Sequence, residues 1–405
     1  MVFLKNIMIK DFRAIGELQL ELNRVNILVG RNNTGKTSIL EAIALLLTSY
    51  NGYRDVLGNN ILDQVIERGG YRYIKKIDAK KALVQGTTRD NLELALHIYT
   101  SRNDLEGEED PSLRDKAYEI LDRIASDIVY DKIRGIESKI NRLKSKIDLL
   151  ETTIERAKLM KELKEYQRKL EDYRRNIDIV KRDILDRIVD NIVFLALNIV
   201  NGEEVSAFLD CKYYKRYIVF KEYKLYGVAS VLIHRGGSVK SLLDKLGVEQ
   251  EIKVIESLKN IIPYFYDYRD GKVVFRYNGY HEIVPLESIG SGFKALLELM
   301  VPIVLGVKVD IIEEPEIHMH PGFPEVWCNT LLGTVVEHDI QYLMSTHSLE
   351  FLDYLLRSAR EKDRLGYISI VRLYRLSNGE IDYEVLSGEE AFEELDVLKG
   401  DLRGP

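Results

Sequence analysis

Gly30-Arg31-Asn32-Asn33-Thr34-Gly35-Lys36-Thr37 fits the spacing Gly-x-x-x-x-Gly-Lys-Thr/Ser without a gap, and Ser38 follows. Glycines at these positions let consecutive backbone N–H groups turn inward around phosphates. A helix starting near Lys36 would aim its positive end at them, the Lys36 ammonium would reach the β and γ oxygens, and Thr37 would offer its hydroxyl to Mg²⁺. The chemistry implied is binding of ATP with Mg²⁺. A second constellation lies far downstream, where the apolar run Val309-Asp310-Ile311-Ile312 leads into Glu313 and Glu314. In a phosphoryl-transfer site the first carboxylate of such a pair holds Mg²⁺ through water and the second polarises the attacking water. His318 and His320 stand two residues apart with no third ligand, a spacing that suits turn packing or an interface better than a metal. Gly290-Ser291-Gly292 opens an apolar helical run, which makes an anion-binding corner. His347 ends the short apolar stretch Gln341 to Thr346, where an imidazole would meet a γ-phosphate.

These side chains need elements to carry them. Leu18, Leu20 and Leu22 alternate with Glu17, Gln19 and Glu21, the period of a half-exposed strand. Val25 to Val29 is apolar except for Asn26, as a buried strand would be, and Thr37 to Leu47 reads as an apolar helix. Strand, glycine loop and helix are the context that the first motif requires. From Ile133 the pattern changes. Ile133, Ile136, Ile140, Leu143, Ile147, Leu150, Ile154 and Ala157 are spaced by threes and fours, and a second seam runs from Leu159 through Leu163, Tyr166, Leu170, Tyr173, Ile177 and Val180 to Ile184. The two seams are out of phase at Ala157 to Leu159. A hairpin turning near Lys158 to Lys161 is preferred over one long helix with a stutter. Between Asp131 and Asp190 there are 17 Lys/Arg and 13 Asp/Glu, so this arm carries 17 − 13 = +4 against −11 for the rest. Strand-like stretches follow at Tyr217 to Tyr226, Ala229 to His234 and Lys272 to Tyr277, with a helical stretch at Glu249 to Ile261. A last hairpin is expected from Val371 to Leu376, turning at Ser377-Asn378-Gly379, and back along Ile381 to Leu386.

The order glycine loop, Gly-Ser-Gly helix start, acidic pair and strand-end histidine resembles that of ABC-type ATPases. Within them the sequence resembles the SMC, RecF and OLD-type branch. Glu314-Pro315-Glu316-Ile317-His318-Met319-His320-Pro321 is similar to that branch's Glu-Pro-Glu-x-His-Leu-His-Pro run, and Ser345-Thr346-His347-Ser348 to its Thr-His-Ser. Ile9-Lys10-Asp11-Phe12-Arg13 resembles its Asn-Phe-Arg opening, in which the arginine approaches the nucleotide. Gly400-Asp401-Leu402-Arg403 resembles the tail of small OLD-type ATPases. The resemblance implies an α/β P-loop NTPase head with a mixed sheet and an inserted antiparallel coiled-coil arm. Residues 1–115 would form the N-terminal lobe, 116–195 the arm, and 196–405 the lobe carrying the signature, the acidic pair and the histidine. It further implies nucleotide contacts from Arg13, Gly30, Arg31, Asn32, Asn33, Thr34, Gly35, Lys36, Thr37 and Ser38. Mg²⁺ would sit on Thr37 and Glu313, with Glu314 and His347 as the catalytic pair. Gly290, Ser291 and Gly292 would complete the ATP site of a second subunit in a two-fold dimer. Glu313 stands where transporters and SMC heads carry Asp. The residue that would serve as a nucleotide-sensing glutamine is open between Gln64 and Gln85.

Composition narrows the setting. The chain has 405 residues, enough for two to three domains at about 150 residues each. Lys plus Arg is 58 and Asp plus Glu 65, giving a net charge of −7, so a nucleic-acid partner would need a local basic patch. Two cysteines, Cys211 and Cys328, exclude a disulfide framework and a cysteine zinc site. No apolar run approaches the roughly 18 to 20 residues of a membrane span, so the expectation is a soluble cytoplasmic protein without a membrane partner. Only 58 residues follow His347, too few for the Toprim nuclease domain of OLD-type proteins. Two functions follow. The first is an ATP-hydrolysing head that dimerises around two ATP molecules in DNA repair, chromosome maintenance or anti-phage defence, contacting DNA without sequence preference. The second is an ATP-sensing subunit that controls a partner nuclease or toxin. A transporter's energising subunit is disfavoured by the heptad insertion.

Overall fold

The computed structural model describes residues 3–149, 153–219, 231–234, 243–317, 319, 322–396 and 400–403. They divide into two compact units, one formed by Met1–His97, Asn198–Ser206 and Val219–Pro405, the other by Ile98–Leu197 and Ala207–Ile218.

In the larger unit, β1 (Leu4–Phe12) pairs antiparallel with β2 (Ile15–Glu21) and with β4 (Ala82–Thr88). The sheet that positions the chemistry is a separate six-stranded one. Its centre is β3 (Val25–Val29), flanked in parallel by β14 (Gln341–Thr346) and β15 (Ile368–Arg375). Beyond β14 lie β13 (Val309–Glu313) and β9 (Val231–His234), both parallel, while β16 (Ile381–Ser387) pairs antiparallel with β15 at the other edge. The sheet is therefore mixed, as expected. All five residues of β3 are buried, which explains their apolar run. Asn26 fits because its amide donates to the carbonyls of Asn23 (2.7 Å) and Tyr342 (3.2 Å) and accepts from Asn23 N–H at 2.7 Å. Trp327, Leu331, Phe351 and Leu352 share one buried cluster with Tyr342 and Met344 of β14.

Gln341 is the other buried amide at the sheet. Its Oε1 accepts from Leu4 N–H at 2.8 Å, and its Nε2 donates to the carbonyls of Leu4 (3.0 Å) and Asn23 (2.8 Å). It ties β1 to the base of β14. Gln341→Leu keeps the volume but strands a backbone N–H and leaves two carbonyls short of a partner. We expect a loss of about 2–4 kcal/mol, read from the shift of the urea unfolding midpoint.

A three-stranded antiparallel meander, β10 (Phe265–Arg269), β11 (Lys272–Tyr277) and β12 (Tyr280–Pro285), precedes the helix Ser291–Leu305. Strands β5 (Glu93–Tyr99), β6 (Ile192–Val200) and β7 (Glu203–Cys211) each start in one unit and end in the other, and β8 (Lys215–Val219) follows them. Most of the expected strand Tyr217 to Tyr226 lies outside the described residues, as do His318 and His320.

The smaller unit is dominated by helices Pro111–Asp148, Thr153–Arg175 and Ile177–Asp190. The first begins where Asp110 caps it, accepting from Ser112 N–H at 2.9 Å, with Pro111 at the opening position that needs no N–H partner. It packs antiparallel to the other two. Arg174 pairs with Glu137 at 2.6 Å, Lys181 with Asp122 at 2.6 Å, and Lys139 bonds Tyr166. The first seam is buried from Ile133 to Ile147, and the second lies along the contact from Leu159 to Ile184. Two expectations need correction. The first helix starts at Pro111, so the helical segment opens earlier than residue 116 and runs about 57 Å at about 1.5 Å per residue. The first helix ends at Asp148 and the second begins at Thr153, so Lys158 to Lys161 sit inside a continuous helix. Ile154 continues the three-and-four spacing into the second helix but is 86% exposed.

Candidate functional site

Because β3, β14 and β13 are adjacent and parallel, the segments that leave their C-terminal ends emerge side by side. Val29 is level with Thr346, and Ser345 with Glu313. The glycine loop, the acidic pair and the histidine therefore meet at one edge, the usual place for a ligand in an open α/β sheet.

The loop is shaped by two glycines in conformations that disfavour side chains. Gly30 has φ +151°, and a Cβ there would lie 2.4 Å from the Leu373 carbonyl oxygen. Gly35, at φ +89°, precedes the helix Lys36–Thr48, and a Cβ there would lie 2.7 Å from Ile381. Buried Thr34 donates from its hydroxyl to Arg31 O at 2.8 Å, closing the loop. Lys36 Nζ, also buried, donates to Gly30 O (2.7 Å) and Arg31 O (2.9 Å). Burial lowers the Lys36 pKa, and Glu314, Glu316 and Glu313 work against that shift. Arg31, Asn32, Asn33, Gly35 and Ser38 line a cleft of about 750 Å³. Arg403 of the tail motif lines the same cleft, oriented by Asp401 (2.7 and 2.8 Å), and Arg375 donates to Asn33 O at 2.8 Å.

Thr37 Oγ1 donates to Glu313 Oε1. A hydroxyl and a carboxylate in contact form the oxygen donor set of a hard cation, so these residues fit Mg²⁺. Arg68, on the helix Ile61–Gly69, forks onto the same carboxylate, with NH1 3.1 Å from Oε1 and NH2 2.7 Å from Oε2. That hydrogen bonding raises the Arg68 pKa, against the lowering effect of burial. NH1 also lies 3.7 Å from Oε1 of Glu41, whose Oε2 is 2.7 Å from Arg13 Nε. Arg13 has left-handed backbone (φ 53°) and donates to Val65 O at 2.8 Å, so its guanidinium joins the cluster through Glu41. Burial lowers its pKa, partly offset by Glu41.

Glu314 also has left-handed backbone (φ 51°), held by its N–H bond to Ser345 O at 2.9 Å. A non-glycine residue kept there costs on the order of 1–3 kcal/mol, and here the twist turns its carboxylate toward His347. Glu314 Oε1 lies 3.1 Å from His347 Nδ1. Glu316 is the more buried of the two carboxylates near the ring. It accepts from Thr346 Oγ1 (2.5 Å) and from His347 N–H (3.4 Å), and burial raises its pKa. It braces the His347 segment.

The structure thus brings together the loop, Thr37, Glu313, Glu314 and His347. Gly290, Ser291 and Gly292 line a different cleft, of about 860 Å³, with Tyr264, Tyr277 and Phe323, and none of its lining residues belongs to the glycine loop. Gly292 has a packing role there, since a Cβ would fall 2.3 Å from the Phe323 ring. Arg68 and Glu41 escaped the sequence reading, and Glu316 entered it only as a member of the Glu-Pro-Glu run, with no role. Glu41 left one trace, a lone carboxylate in an otherwise apolar helix. Gln64 sits one turn before Arg68 with a buried Oε1 that has no hydrogen-bond partner among the described residues, whereas Gln85 is within β4, level with Met8.

Residues 25–353 match the family described as AAA domain, putative AbiEii toxin, Type IV TA system. The chain belongs to that family. It therefore carries a nucleotide-binding ATPase domain of the P-loop fold. Two uncharacterised proteins of Methanocaldococcus jannaschii are similar in part. MJECL10 is 51% identical over 51 residues, 12% of this chain and 23% of that protein, so the chain matches under a quarter of its length. MJECL11 is 31% identical over 121 residues, 29% of this chain and all of that protein. Among solved structures, the Smc head domain of Pyrococcus furiosus, with an extended coiled coil and bound to the C-terminal domain of ScpA, is 11% identical. It covers 98% of this chain and 100% of that one, with a TM-score of 0.45. The SMC head domain of Thermotoga maritima is 12% identical, covering 96% and 100%, with a TM-score of 0.46. No helix among the described residues is long and apolar enough to cross a membrane.

Proposed function

We propose that this ATPase domain hydrolyses MgATP, with Glu314 as the base that orients water, and works as a pair of heads closing on two nucleotides. The observation that carries the reading is the Glu314–His347 contact at 3.1 Å beside Lys36, Thr37 and Glu313. A carboxylate that takes a proton from water, next to an imidazole within reach of a γ-phosphate, is the minimum for hydrolysis. Glu313 and Thr37 would hold Mg²⁺, which supplies charge to the β and γ oxygens when bound. Exposed Gly290 and half-buried Ser291 start a helix away from the chain's own loop, which supports a role toward a second copy. The helical arm at +4 supports contact with DNA backbone in repair, chromosome maintenance or defence, inside the cell. The toxin–antitoxin wording of the family description favours a second reading, an ATP-sensing subunit that controls a nuclease or toxin partner.

Phosphate release from MgATP, followed with and without duplex DNA at 50 and 200 mM salt, tests the first reading. Turnover is expected, with stimulation by DNA at low salt that fades steeply at high salt. Nucleotide binding without turnover under either condition would favour the sensor.

A further inference from the structure

We propose that Arg68 and the Mg²⁺ of MgATP compete for Glu313, so that the helix Ile61–Gly69 acts as a gate on nucleotide loading. This rests on the reading of Thr37 and Glu313 as the Mg²⁺ residues. Both Glu313 oxygens are already engaged, Oε1 by Thr37 Oγ1 and Arg68 NH1, Oε2 by Arg68 NH2 at 2.7 Å. A divalent cation between Thr37 and Glu313 would stand within a few ångströms of a guanidinium. It needs the carboxylate lone pairs, or the space of a water on them, that the fork now covers. Both cations cannot keep their full set of contacts on one carboxylate. Loading therefore requires the Arg68–Glu313 fork to open.

The structure also holds the place to which Arg68 retreats. Glu41 is 1% exposed, and its Oε1 is 3.7 Å from Arg68 NH1, just beyond a hydrogen bond, while its Oε2 faces Arg13 at 2.7 Å. Turning the Arg68 guanidinium from Glu313 onto Glu41 would keep it paired with a carboxylate throughout, avoiding the costly unpaired charge. The helix is short and locally anchored, capped by Asn60, which accepts from Asp63 N–H at 3.3 Å, and tied by Val65 O to Arg13. Its position can then follow which carboxylate Arg68 holds. Gln64, one turn earlier on the same helix, would move with it.

The test titrates MgCl₂ against a fixed concentration of a fluorescent ATP analogue bound to the full chain, comparing wild type with Arg68→Gln and Arg68→Lys. Gln removes the charge that opposes Mg²⁺, and Lys keeps the charge but loses the fork. The half-saturating Mg²⁺ concentration is expected to fall about tenfold in Arg68→Gln and to change little in Arg68→Lys. Binding of the analogue in EDTA should be the same for all three. An unshifted Mg²⁺ midpoint in Arg68→Gln overturns the gate. So does weaker binding in EDTA, which would make Arg68 a phosphate ligand. Equal melting temperatures for the three proteins exclude misfolding. If Arg68→Gln melts early, Arg68→Met, which removes the charge but keeps an apolar stem, takes its place with the same tenfold fall expected and the same unshifted midpoint counting against the gate. Loss of Mg²⁺ dependence in wild type itself would instead count against the Thr37–Glu313 assignment, a result distinct from failure of the gate.

Discussion

Lys36→Ala is expected to weaken MgATP binding at least about a hundredfold, since two charge-assisted hydrogen bonds to phosphate at about 1.5 kcal/mol each are lost. The environment sharpens the effect. The ammonium is buried, and the three glutamates nearby already favour its charged form against desolvation. Removing it leaves Glu313, Glu314 and Glu316 facing the triphosphate without their nearest buried countercharge. Lys36 also holds Gly30 O and Arg31 O, so Ala releases the loop as well. Lys36→Met keeps the apolar stem but loses the ammonium with both its charge and its bonds to the loop, so a hundredfold loss in both variants assigns the effect to the ammonium and not to the packing of the stem. Calorimetric titration gives the affinities. If Lys36→Ala bound MgATP as tightly as wild type, the glycine loop would not be the nucleotide site.

How far the sequence exposes this site follows from where each interaction lies along the chain. The glycine loop is legible because its parts are contiguous and the backbone needs glycine at Gly30 and Gly35, where φ is +151° and +89°. Glu313, Glu314 and His347 are legible because each follows a short apolar strand, and parallel order brings such strand ends together. Arg68 carries no such mark. It is one exposed-face arginine on a short amphipathic helix, and only the fold brings it to a carboxylate 245 residues away. The break between the first two arm helices was hidden for another reason. No glycine or proline lies between Asp148 and Thr153, and Ile154 continues the heptad spacing, so periodicity alone puts the break several residues late.

Glu314→Gln is expected to lower turnover by about 10²- to 10⁴-fold while leaving ATP affinity nearly intact, because the amide keeps the side chain's shape but cannot accept the water's proton. The Glu314 backbone sits at φ 51° whatever the side chain, so the amide should still reach His347. A γ-phosphate that is bound but not cleaved would persist, and any closure that depends on it should become long-lived. Light scattering after gel filtration is then expected to show a dimer that forms with MgATP and is absent without it. Ser291 supplies the second half of the argument. It lies at the N-terminal end of an apolar helix, in a cleft apart from the chain's own glycine loop. Placing Arg there fills the approach of a partner's phosphate with a bulky side chain and should abolish the ATP-dependent dimer of Glu314→Gln without changing nucleotide affinity per subunit. A permanent dimer held by the helical arm would appear with and without nucleotide, so the informative quantity is the change on adding ATP. If Glu314→Gln shows no such change, or the double variant still dimerises with ATP, Ser291 does not complete a second subunit's site. Hydrolysis would then have to be explained within a single chain, from Lys36, Thr37, Glu313, Glu314 and His347 alone.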